Sequence, residues 1–159
     1  MSGSDDKGEL ALAQGDAGIA AEFAIVIISH GALAVELKKA LEHLMGPQPL
    51  VAALAIPPDE PLSQTRRRLH DILAALPPMD GAPAARPLIF LSDLFGGTPA
   101  NLALAEVRRR HNAALITGAN LPVLVRLAEL RGQVEADVAV EEAAAVGRRF
   151  IRTEHGGAA

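Results

Sequence analysis

The feature that most restricts the folds open to this chain is a repeated pairing of a short apolar run with a segment of helical length. Phe23 to Ser29 is apolar on both faces, the pattern of a central strand in a parallel sheet covered on both sides. A helix is predicted from about Ala32 to Met45, with Leu33, Leu37, Leu41 and Leu44 as its buried stripe and Gly46-Pro47 as its stop. Leu50–Ile56 reads as a second strand. Pro57–Pro61 follows, with acids placed to cap a helix over Leu62–Leu76 that buries Leu62, Leu69, Ile72, Leu73 and Leu76. Pro87–Leu91 reads as a third strand and Asn112–Thr117 as a fourth. A helix starts at Ala100, another after Asn120, and a last one spans Val134–Gly147. Arg149–Thr153 leaves room for a short edge strand. This alternation predicts an α/β fold, a doubly wound and mainly parallel four-stranded sheet in the order 2-1-3-4 with helices on both faces.

Composition narrows the class. The 159 residues suffice for one domain with a substantial core. With no Trp or Tyr and four Phe, that core must come from Ala, Leu, Val and Ile. The absence of cysteine excludes disulfides and thiolate metal sites. A net charge of −4 argues against a molecule built for nucleic acid. No apolar run approaches the ~18 residues a membrane span needs, so direct membrane insertion is not expected, and a cytoplasmic setting fits. Residues 1–22 have no basic start and no long apolar stretch, and read as a flexible extension. Residues 23–152 form the expected domain and 153–159 a tail.

The candidate site lies where two strands end. In open parallel sheets, ligands bind outside the carboxyl ends of strands where the strand order reverses. His30 follows the first strand and Asp93 the third, and these are neighbours in a 2-1-3-4 sheet. After Asp93 comes Leu94-Phe95-Gly96-Gly97-Thr98-Pro99. The glycines permit a sharp turn and close approach. Thr98-Pro99 reads as a capped helix start, whose free N–H groups and dipole favour an anion. The spacing is neither a P-loop nor a dinucleotide fingerprint. A carboxylate that accepts Nδ1–H fixes the imidazole tautomer and leaves Nε2 as a free lone pair. The same residues also fit a plain strand–helix turn with a packed histidine. Leu94 and Phe95 are apolar residues beside the site, suited either to inward packing or to docking a protein.

Four segments together resemble the EIIA domain of the mannose family of the bacterial phosphoenolpyruvate:sugar phosphotransferase system (PTS). They are Ile27-Ile28-Ser29-His30-Gly31-Ala32-Leu33-Ala34, Leu44-Met45-Gly46-Pro47, Ser92 through Leu102, and Thr117 through Leu124. The resemblance implies a phosphocarrier that needs no cofactor or metal. His30 would take a phosphoryl group from phospho-HPr and pass it to an EIIB-type protein, and Asp93 would support His30. Gly96, Gly97 and Thr98 would bind the phosphate, and the protein would be a homodimer. A regulatory phosphoprotein, whose histidine state is sensed by a partner, is the alternative. A hydrolase is disfavoured because no second acid is placed for it. The remaining histidines, His43, His70, His111 and His155, show no partner pattern. Arg66-Arg67-Arg68 and Arg108-Arg109-Arg110 read as solvated helix faces.

Overall fold

The computed structural model describes residues 22–77, 79 and 86–157. The expected extension therefore lies outside the described residues except for Glu22, as do residues 158–159 of the tail. The elements are β1 (Ala24–His30), α1 (Leu33–Met45), β2 (Val51–Ile56), α2 (Leu62–Ala75), β3 (Leu88–Ser92), α3 (Thr98–Arg108), β4 (Ala113–Thr117), α4 (Leu121–Leu130) and α5 (Ala136–Arg149). The four strands form one parallel sheet in the order β2-β1-β3-β4.

Period-two alternation along the strands divides the core between the two faces. Phe23, Ile25, Ile27, Ile89 and Leu91 point to one face. There they meet Ala34 and Leu41 of α1, Val123, Leu124 and Leu127 of α4, and Ala139 and Ala143 of α5. Ala24, Val26, Ile28, Leu88 and Phe90 point to the other, against Leu69 of α2 and Leu102 and Ala103 of α3. Both central strands are buried on both faces, which explains their unbroken apolar runs. Each fully buried Ile, Leu or Phe contributes about 1.5–3 kcal/mol of transfer free energy, so the central strands anchor the frame that the loops hang from. With α1 on one face and α3 on the other, the chain leaves β1 and β3 in opposite directions. In sheets of this kind ligands bind outside the ends of two such strands.

Several local expectations are corrected. No strand forms over 149–153 among the described residues. α5 runs on to Arg149, and the Phe150 N–H still bonds Val146 O at 3.2 Å. The helical ladder thus captures the residues that an edge strand would need, and Phe150 and Ile151 stay exposed. Thr98 does not cap α3. It is the first helical residue, Gly97 holds the N-cap position, and no side chain caps that end. The acids before α2 do not cap it either. Pro61 sits at the N-cap, and Glu60 instead accepts the Thr65 hydroxyl. Leu33, Leu44 and Leu62 are exposed although they fall on the predicted stripes. They lie in the end turns of their helices.

Candidate functional site

The site is built on the backbone before any side chain is placed. Ala32, at the N-cap of α1, offers no capping side chain. The buried Ser29 hydroxyl takes that role from inside β1, accepting the Ala34 N–H at 2.6 Å. This satisfies one of the helix's orphan donors and ties the start of α1 to the end of β1. Gly31 makes the turn between them at φ 53°, and its N–H bonds Ile56 O at 2.9 Å. At the end of β3, the buried Ser92 hydroxyl donates to Leu94 O at 2.8 Å. The Ala119 N–H donates to Ser92 O at 3.0 Å. Both serines escaped the sequence reading, in which they look like ordinary polar strand ends. The only available signal was a hydroxyl on a buried strand, where it must find a partner.

On that frame His30 and Asp93 meet. The His30 ring Nδ1 lies 2.8 Å from Asp93 Oδ2, and the His30 backbone N–H donates to the same oxygen at 3.0 Å. The Leu94 N–H donates to Oδ1 at 3.0 Å. The Asp93 side chain is 11% exposed and that of His30 51%. Burial pushes the Asp93 carboxyl up. The bonds from the His30 ring, the His30 N–H and the Leu94 N–H, with the charge His30 can carry, outweigh burial and hold it below its ordinary value. An ionised Asp93 only accepts hydrogen bonds, so Nδ1 is the ring nitrogen that donates to it, and in the neutral ring Nε2 holds the lone pair.

Gly97 lies against the ring. A Cβ built there would come within 2.8 Å of His30 Cε1 and 3.3 Å of Nε2. Gly96 turns the loop at φ 86°. Thr98 is exposed in the first turn of α3, where backbone N–H groups lack intrahelical partners. Leu94 and Phe95 are exposed beside the pair, Phe95 to 83%. His30, Asp93 and Gly97 are therefore in one cluster, with Thr98 at its edge and Phe95 on its outer surface. His43, His70, His111 and His155 are elsewhere and exposed. The cluster can offer an electrophile an oriented nitrogen nucleophile backed by a fixed negative charge.

Residues 24–144 match the family described as PTS system fructose IIA component, EIIA-man. The chain belongs to that family. This EIIA-family chain thus has a general role in the sugar phosphotransferase system. It is 26% identical over 107 residues to the PTS system fructose-specific EIIA component of Bacillus subtilis strain 168, covering 67% of this chain and 69% of that one. It is 34% identical over 102 residues to the PTS system mannose-specific EIIAB component of Escherichia coli K12, covering 64% of this chain but only 30% of that longer protein. Among solved structures it resembles the mannose/sorbose specific IIA subunit from Enterococcus faecalis, with a TM-score of 0.72 and 23% identity over 87% of this chain and 98% of that one. A second is EIIA from Streptococcus agalactiae, with a TM-score of 0.71 and 21% identity over 82% and 96%. At that identity the structural likenesses speak for the fold. No described helix is long and apolar enough to cross a membrane.

Proposed function

We propose that this chain is a phosphocarrier. It accepts a phosphoryl group from phospho-HPr on His30 Nε2 and passes it to an EIIB-type protein for sugar uptake. The reading rests above all on the 2.8 Å contact between Nδ1 and Asp93, which leaves the opposite nitrogen of a half-exposed ring free. In the forward step the Nε2 lone pair attacks phosphorus. The phosphorus–nitrogen bond of the donor breaks, and its electron pair returns to the donor ring. His30 then carries the phosphoryl group on Nε2 while Nδ1–H stays on Asp93. The Asp93 charge offsets the positive charge spread over the phosphorylated ring. Gly96, Gly97 and Thr98, at the start of α3, hold the phosphoryl oxygens. Leu94 and Phe95 give the protein donor and acceptor an apolar contact next to the reacting atom. The second transfer reverses the first, with the acceptor as nucleophile. The carrier works in the cytoplasm as a homodimer, which sedimentation will test.

The deciding experiment incubates the protein with phosphoenolpyruvate, enzyme I and HPr and maps the label. One phosphorylated residue is expected, His30, with a bond stable in base and lost in acid. His30→Ala is expected to abolish labelling. Label that survives this change, or that sits on His43, His70 or His111, overturns the assignment. Adding an EIIB protein of the mannose or fructose type is expected to remove the label. Label retained against every such acceptor would point to the regulatory role instead.

A further inference from the structure

The two arginine runs converge on one place. The α2 residues Arg66, Leu69, His70 and Leu73 recur at helical spacing and face Leu102, Ala105, Glu106 and Arg109 of α3 and its C-cap. These helices lie side by side on the sheet without packing closely on each other, and a cleft of about 520 Å³ separates them. Its floor is apolar, made by Leu69, Leu73 and Leu102. Its rim carries Arg66, Arg109 and Arg110.

The charges on that rim are poorly matched. Glu106 stands 3.4 Å from Arg109 and 3.6 Å from Arg110, so one carboxylate faces two guanidiniums. The Arg110 Nε is buried and has no hydrogen-bond partner among the described residues. Arg66 is exposed and has neither an ion pair nor a hydrogen bond among them. Arg68, by contrast, is taken up by Glu60 and Ala55 O and turns away from the cleft. Two positive charges are thus left unmatched in a chain of net charge −4, and a concave wall concentrates their field.

We infer that this cleft binds a nucleotide, a phosphate group joined through ribose to a flat ring system with apolar faces. Guanidiniums engage phosphate in a bidentate manner and stack on planar rings. The volume lies within the range of small-molecule sites. The leucine floor offers no partner to sugar hydroxyls, which disfavours a hexose phosphate, whereas a purine ring would cover it. None of the residues lining the cleft belongs to the His30 cluster, and Arg109 sits about 16.5 Å along α3 from Thr98 at 1.5 Å per residue, so the cleft is separate from that cluster. It would act as a second input to the carrier.

Calorimetry on the full chain with AMP, ATP, glucose 6-phosphate and inorganic phosphate tests this. A nucleotide is expected to bind at least tenfold more tightly than inorganic phosphate or glucose 6-phosphate. The double change Arg66→Ala/Arg109→Ala should weaken that binding tenfold or more while the circular dichroism and melting temperature stay native. Arg67→Ala, outside the cleft, and His30→Ala should leave it unchanged; the latter separates this site from the proposed phosphocarrier site. The inference is overturned if neither nucleotide binds at millimolar concentration, if inorganic phosphate binds as well as a nucleotide, or if the double variant retains native affinity. Binding lost in His30→Ala also overturns it, as does binding seen only with an acidic peptide or a single-stranded oligonucleotide.

Discussion

Glu60 and Asp93 are two carboxylates at the same end of the sheet, one after β2 and the other after β3, and similar forces act on both. The Thr65 hydroxyl donates to Glu60 at 2.7 Å, and Arg68 Nη1 reaches its other oxygen at 2.7 Å. The Thr65 bond lowers the Glu60 carboxyl first; burial opposes it, and the bond and charge of Arg68 lower it further. The Asp93 carboxyl is also low, although burial is the largest influence there and acts upward. What separates the two is the partner's remaining valence. Arg68 uses its Nη1 a second time on Ala55 O, and the Glu60 side chain is only 6% exposed. The guanidinium nitrogens that remain are N–H donors with no lone pair to offer, so Arg68 supplies no nucleophile. At Asp93 the partner is an imidazole whose second nitrogen is unspent. A perturbed carboxylate therefore marks a reactive site only where its partner has an open atom left to react.

The sharpest way to break this comparison is to remove each acid in turn. Asp93→Ala is expected to slow phosphoryl transfer from phospho-HPr by about ten- to a thousandfold, equivalent to about 1.4–4 kcal/mol in the barrier. Circular dichroism should show the fold retained. Asp93→Asn should fall in the same range, because the amide can accept a hydrogen bond but carries no charge and can hold the wrong tautomer. A folded Asp93→Ala protein with the native rate would reduce Asp93 to a turn residue and erase its difference from Glu60.

Gly97→Ala asks whether the open face of the ring must stay open. The backbone at Gly97, φ −86°, accepts alanine, so any effect must come from the side chain. The new methyl would lie within 2.8 Å of His30 Cε1, and the ring cannot yield freely because Asp93 holds its far side. A loss of about tenfold in transfer rate is expected, within what a small misplacement of a reacting group costs, with little change in melting temperature. In an Asp93→Ala background the ring is free to swing, so the two effects should sum to less than additivity predicts. A native rate in Gly97→Ala would show that close contact with the loop does not matter.

The architecture was legible because it follows from burial. Double-sided apolar runs and helical stripes specify a parallel sheet, and the expected order 2-1-3-4, one of the few open to a doubly wound sheet, is the one observed. The adjacency of His30 and Asp93 was legible for the same reason, since strand order brings their ends together. What stayed hidden depends on where individual hydrogen bonds go. Ser29, a strand residue, serves a helix N–H five residues on, whereas Thr98, in an ideal capping sequence, moves one position into the helix and caps nothing. Glu60 looks like a cap and is bound by Thr65. Each of these groups has several partners within reach, and tertiary position decides among them. Arg149–Thr153 failed as a strand because the helical ladder of α5 outran the apolar pattern. The arginine runs were read as solvated faces, and nothing in a linear sequence reveals that α2 and α3 bring parts of both to one cleft.

The smallest effect in this series is the most specific to the comparison. Both carboxyls are lower in the folded protein than in the unfolded chain. Their contribution to stability is therefore complete above the unfolded values, about 3.9 for Asp and 4.3 for Glu. It is lost as pH falls through the folded ones, because the unfolded state then binds protons more readily. Glu60→Gln removes one of these titrations. Its midpoint of urea unfolding should lie below that of the native protein at pH 7, and the gap should narrow as pH falls below about 4. Its rate of phosphoryl transfer should remain within about twofold of native, since Glu60 bonds Thr65 and Arg68 and touches neither His30 nor Asp93, and sites without shared partners couple weakly. Asp93→Asn should show the same narrowing in acid and lose transfer as well. If Glu60→Gln keeps the native acid profile, the Thr65–Glu60–Arg68 network does not stabilise the fold. If it slows transfer as Asp93→Asn does, the Glu60 network is coupled to the site and the two carboxylates are not opposites.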